Sequence, residues 1–130
     1  MPLLVDHNIE GQVALLWGAL TTEGWLDVVP MRLMRFEDVA LAHDSTDREV
    51  WRLVQARGML LLTANRNMDG EDSLEQTIRA ENTSTALPVI TISTIGRMVE
   101  APYRIRCATR LAEIVIYLSN YLGTGRLFIP

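Results

Sequence analysis

The sequence predicts an α/β fold: a three-layer α/β/α sandwich on a mostly parallel central sheet of about five strands, in one domain over residues 1–130. Three observations predict it. Residues 59–62, Met-Leu-Leu-Leu, run without polar alternation between Gly58 and Thr63, as a strand covered on both faces of a parallel sheet does. Further apolar runs at 3–5 and 88–92 alternate with helical stretches that open on good capping residues. Finally, oxygen-bearing side chains gather just after the apolar runs, where the carboxyl edge of such a sheet collects ligands.

The elements follow in order. Leu3, Leu4 and Val5 form a short strand that ends on Asp6. Asn8 is placed to cap a helix whose apolar positions Ile9, Val13, Leu16, Trp17 and Leu20 share one face, ending near Gly24. Residues 26–29 read as a second strand closed by Pro30, completing a βαβ unit with a right-handed crossover. Residues 31–42 carry little pattern beyond a short helix over 36–41, and Arg32 and Arg35 read as a solvated face. Thr46 and Glu49 make a capping box for a helix buried by Val50, Leu53 and Val54 and stopped by Gly58.

After the central strand, Asp72 or Ser73 caps a partly exposed helix with Leu74 and Ile78 as its apolar positions. Residues 82–86 are a polar loop, and 88–92 a strand rich in β-branched residues. The longest helix spans 103–122, with Ala108, Leu111, Ala112, Val115, Leu118 and Leu122 on one stripe and Ile114, Tyr117 and Tyr121 on another. Two apolar faces mean a buried helix or an oligomer contact. Residues 126–129 close the chain as an edge strand.

Composition narrows the class. Hydrophobic residues make up 48% and charged ones 22%, which suits a compact domain and not a disordered one. No apolar run is long enough to cross a bilayer, so the chain reads as cytoplasmic, with neither a transmembrane helix nor a signal peptide. The single Cys107 offers no intramolecular disulfide and no thiolate zinc site. A net charge of -4 argues against life on bulk nucleic acid, although acids that hold a cation also count as negative. All 12 basic residues are arginine, which suits bidentate phosphate contacts and equally suits a bias of the source genome.

The chemistry concentrates in residues 65–72, where Asn65, Arg66, Asn67, Asp69, Glu71 and Asp72 surround Gly70. Asp6 falls on the same sheet edge if the two strands are parallel. Asp47, in the first turn of its helix, either complements the helix dipole or projects into the same crevice. No Gly-x-Gly-x-x-Gly follows the first strand, which argues against a dinucleotide site, and no lysine is present to partner a phosphoacceptor aspartate. His7 and His43 stand alone and read as surface or loop residues; Trp17, Trp25 and Trp51 read as core.

In order and spacing, the strand ending Leu3-Leu4-Val5-Asp6-His7-Asn8, the helix opening Asp47-Arg48-Glu49-Val50 and the strand ending Thr63-Ala64-Asn65-Arg66-Asn67 resemble the PIN-like nuclease superfamily, closest to its small stand-alone, toxin-like branch. The resemblance covers roughly the first two-thirds of the chain. It implies a metal-dependent ribonuclease, in which acids at the sheet edge hold one or two Mg2+ or Mn2+ ions that activate water against an RNA phosphodiester. By motif, Asp6 is the first ligand, Asp47 the second and Thr63 a supporting hydroxyl, with Asn8 and Glu49 also supporting.

Where the family has aspartates after the threonine, this chain has Asn65 and Asn67, whose amides bring no charge. Asp69, Glu71 or Asp72 would restore it from a displaced position. The expected site is therefore Asp6, Asp47 and Asp69 as catalytic acids, and Asp6, Asp47, Asn65 and Asp69 as metal ligands. Asn65, Asn67 and Asp72 support them, and Arg66, Arg106 and Arg110 are the nucleic-acid contacts. The alternative is a degenerate PIN-like binding or assembly protein without nuclease activity. Expected partners are RNA, an antitoxin-like protein, and further copies of the chain through the last helix.

Overall fold

The computed structural model describes residues 1–130. Five parallel strands form one sheet: β1 (Pro2–Val5), β2 (Arg32–Met34), β3 (Leu60–Thr63), β4 (Val89–Ile92) and β5 (Arg126–Ile129) lie in the order β2-β1-β3-β4-β5. The register sets Leu4 beside Met34 on one side and Leu61 on the other. In this order the chain leaves β1 toward one edge and β3 toward the other, so a topological switch point opens between their carboxyl ends.

Helices cover both faces. On one, α1 (Glu10–Thr22) and α5 (Ala101–Ile116) enclose Leu3, Val5, Leu60, Leu62, Ile90 and Ile92; on the other, α3 (Asp47–Arg57) and α4 (Leu74–Glu81) enclose Leu4, Leu61 and Val89. Adjacent residues of one strand thus enter different clusters, which is why β1, β3 and β4 are apolar apart from the buried Thr63 and Thr91. The expected α/β/α sandwich is present, and its sheet is parallel throughout.

Three local expectations are corrected. Residues 26–29 are not a strand: α2 (Trp25–Val28) is one helical turn, with Val29 N–H donating to the Trp25 carbonyl at 2.8 Å. Gly24, at φ +77°, turns the chain into it, and Val28 is left 67% exposed. The run 26–29 reads as a strand in sequence, but Pro30 has no N–H for a ladder. Pairing begins beyond it, where Arg32 N–H donates to the Met1 carbonyl at 3.2 Å.

Asn8 does not cap α1. Asp6 caps a 3-10 turn over His7–Ile9, its Oδ1 accepting from Asn8 N–H at 3.2 Å, and α1 follows directly. The last helix runs Ala101–Ile116 and not 103–122. Pro102 starts it early, where a missing N–H costs nothing. After Tyr117 the chain shifts to a 3-10 turn at Leu118–Asn120, and Gly123 and Gly125, both at φ +83°, bend it back into β5. At Gly123 a Cβ would sit 2.8 Å from the Ser84 carbonyl oxygen, so only glycine fits.

Other signals hold. Thr46 caps α3, its hydroxyl accepting from Glu49 N–H at 3.1 Å, and Gly58 ends it at φ +65°. Ser73 caps α4 by accepting from Gln76 N–H at 3.3 Å. Cys107 is fully buried on α5, and burial pushes its thiol up to about 11.

Candidate functional site

At the switch point a pocket of about 160 Å3 opens, lined by Asp6, His7, Ser45, Asp47, Thr63 and Asn65 over an apolar floor that includes Leu61. The polar groups arrive from the ends of two strands and one helix. Asp6 leaves β1, Asp47 opens α3, and Thr63 and Asn65 leave β3. Parallel pairing of β1 with β3 aligns Val5 with Leu62, which places Asp6 beside Thr63.

The contacts fix these groups closely. The buried Thr63 hydroxyl donates to Asp6 Oδ2 at 2.8 Å and accepts from Asn65 N–H at 2.9 Å. Asp6 Oδ1 accepts from Asn8 N–H, so both of its oxygens are engaged. Thr63→Val would leave both partners short of a bond in a buried place, and a loss of about 1–3 kcal/mol is expected by urea denaturation.

Asp47 is held by one oxygen. Its Oδ2 accepts from the Asn65 Nδ2 amide at 3.0 Å and from Leu74 N–H, at the start of α4, at 3.0 Å. The orientation of the Asn65 amide follows from its neighbours: Oδ1 accepts from Asn67 N–H at 2.8 Å, which turns Nδ2 toward Asp47. Asn67 Oδ1 in turn accepts from Asp69 N–H at 3.1 Å. Two successive asparagine turns therefore shape the loop.

Below this loop lies Arg126, whose side chain is only 9% exposed. It donates to the Asn65 carbonyl and to Thr91 Oγ1, each at 2.7 Å, and to Glu75 Oε2 at 3.2 Å. Burial lowers its tendency to hold a proton, and Glu75, with Asp47 further off, opposes that. A fixed positive charge thus sits beneath the site.

The remaining expected residues lie elsewhere. Asp69 does not line the pocket; it is exposed on the rim of a separate depression that Asp47, Asn67 and Asp72 also line. Asp72 pairs with Arg48 at 3.0 Å, and the Glu49 carboxylate accepts from the Thr46 hydroxyl at 3.2 Å. Arg66 covers Phe128 at 5.2 Å and donates to the Ser93 carbonyl. Arg106 and Arg110 lie on α5 beside Tyr103 and Tyr121. None of the three arginines reaches the pocket.

Arg48 and Arg52 both bond Glu81, joining α3 to α4. Hydrogen bonding to Arg52, followed by Arg48, holds the Glu81 carboxyl below its ordinary value of 4.5. A lowered pKa in the fold gives stability that is full above that ordinary value and lost as pH falls through the lowered one. Glu81→Gln should therefore flatten acid unfolding in that window and leave the pH dependence near neutrality unchanged, as followed by circular dichroism.

His7 is not isolated. It stacks on His43 with centroids 5.0 Å apart and planes 3° apart, meets Phe36 edge-on, and sets Nδ1 3.7 Å from Asp6 Oδ1. Its position next to Asp6 was the sequence signal for a place in the pocket. Ser45 and Arg126 gave none.

The donor set decides which ligand fits. Hard divalent cations want several charged oxygens, and a pair of them wants three or four carboxylates. Here two carboxylates line the pocket, no third His, Cys, Asp or Glu completes a metal-holding group, and Asn65 presents its N–H2 end to Asp47. This arrangement does not fit a two-cation centre. No protein-family model matches the chain, and neither a curated protein nor a solved structure shows detectable similarity to it.

Proposed function

We propose that this chain is a degenerate PIN-like domain that binds or assembles and does not cleave RNA. One observation carries the reading: where the family would place a third acid, the Asn65 amide donates to Asp47 at 3.0 Å. The amide does for Asp47 what a cation would otherwise do, aided by the α4 N-terminus. The buried Arg126 beneath the loop further offsets the negative charge that would attract a metal.

A second reading, a Mg2+- or Mn2+-dependent ribonuclease, is favoured by the presence of Asp6 and Asp47 in one pocket. An unstructured RNA substrate separates the two. Incubated with magnesium or manganese, the wild-type chain is expected to cleave no faster than Asp6→Asn. Cleavage that disappears in Asp6→Asn would establish the nuclease.

A further inference from the structure

The loop that joins β3 to α4 carries a reactive pair of groups that the pocket does not use. Asp69 is the only aspartate in the chain followed by glycine, and no asparagine is. An aspartyl carboxyl can close on the nitrogen of the next residue where that residue has no Cβ in the way and its N–H is free. Both conditions hold at Gly70. It is exposed, sits at φ +88° outside any helix or strand, and donates its N–H to no protein acceptor. The exposed Asp69 carboxylate makes no hydrogen bond or ion pair; only its N–H is engaged, with Asn67 Oδ1.

The next candidates by sequence are Asp44 before Ser45 and Asp72 before Ser73. The fold closes both. Ser45 N–H donates to the Ala42 carbonyl at 3.1 Å, Ser73 N–H donates to the Gly70 carbonyl at 3.2 Å, and Asp72 is also paired with Arg48. The Asn65 and Asn67 side chains are each bonded within the loop and precede Arg66 and Met68, whose side chains crowd the attacking nitrogen.

We propose that Asp69 is a site of spontaneous backbone modification, at which aspartate converts to an isoaspartyl linkage through a cyclic imide. The Gly70 nitrogen bonds Asp69 Cγ and gives up its proton, which leaves with the carboxyl hydroxyl as water. The imide then takes up one water. Attack at Cγ returns aspartate; attack at the backbone carbonyl breaks the original peptide bond, frees an α-carboxylate and leaves the chain running through Cγ. No oxidant, reductant or other reactant enters, and the product keeps the starting mass. Asp47 Oδ2 ties down both sides of this loop, through the Asn65 amide before it and Leu74 N–H after it, and the added methylene falls between them. The inference holds whether or not the pocket takes a metal.

The full chain, aged folded at neutral pH and in parallel in urea, is digested and mapped by mass spectrometry, with an isoaspartate-specific carboxyl methyltransferase as the probe of the new α-carboxylate. The folded chain should accumulate isoaspartate at Asp69 alone, at a rate close to that in urea, while Asp44 and Asp72 react only in urea, where their neighbours' N–H groups are released. Asp69→Glu should abolish the signal, because the longer side chain closes its ring far more slowly. Asp69→Asn should raise it severalfold, reaching the same product with loss of ammonia; circular dichroism checks that both variants fold. Absence of isoaspartate at Asp69 in the folded chain would overturn the proposal, and so would equal accumulation at Asp44 or Asp72 there.

Discussion

Arg126→Ala is expected to cost about 3 kcal/mol of stability, among the largest single losses available to this chain. The guanidinium is 9% exposed and Glu75 25%, so water recovers part of the loss at the carboxylate but little at the Asn65 carbonyl or the Thr91 hydroxyl. Removing the base leaves those acceptors facing each other beneath the loop. Arg126→Lys should recover only a fraction, because one ammonium cannot reproduce a fork that reaches three acceptors. Urea denaturation measures both. A loss below about 1 kcal/mol for the alanine variant would mean the guanidinium does not hold the Asn65 loop.

Asn65→Asp has the second large effect, and its sign depends on metal. Without cations, a new carboxylate about 3.0 Å from Asp47 Oδ2 replaces a donor by a like charge. One of the two should then titrate upward, and stability near neutral pH should fall by about 1–2 kcal/mol. With manganese, three carboxylates share one pocket, and saturating metal should raise stability by about 2.7 kcal/mol at one hundred times the dissociation constant. Wild type should melt at the same temperature with or without manganese. Should Asn65→Asp gain nothing from manganese, the amide is not what keeps the site empty of charge.

The two variants also mark how far the sequence could be read. Apolar runs made β1 and β3 visible, because a parallel strand buried on both faces needs no polar partner pattern, and β-branched residues made β4 visible. Local capping chemistry at Thr46, Gly58 and Ser73 fixed the α3 and α4 boundaries, since it depends on residues within one turn. Residues 26–29 were misread because β-branched side chains favour strands only on average, while Gly24 and Pro30 govern the backbone there. The last helix was read six residues too long at its end, its apolar residues persisting through Leu118 and Tyr121 after the α-helical ladder stops at Ile116.

Within the site, strand ends picked out Asp6 and Asn65, a helix's first turn Asp47, and the resemblance Thr63, and the pocket contains all four. The orientation of the Asn65 amide could not be read, because it depends on Asn67 N–H and Asp47 together. Arg126 was read as part of an edge strand, yet its partners Asn65 and Glu75 lie 61 and 51 positions away. Side-chain networks of that separation leave no local trace.

On the proposed reading, Asn65 and the α4 N-terminus satisfy Asp47 in place of a cation. Isothermal titration of manganese into the wild-type chain, beside Asp6→Asn,Asp47→Asn, tests it most directly. No saturable binding tighter than about 1 mM is expected in either protein, the range left to a site with two already-bonded carboxylates. Micromolar binding in wild type that vanishes in the double variant would contradict it and place a working cation site between Asp6 and Asp47.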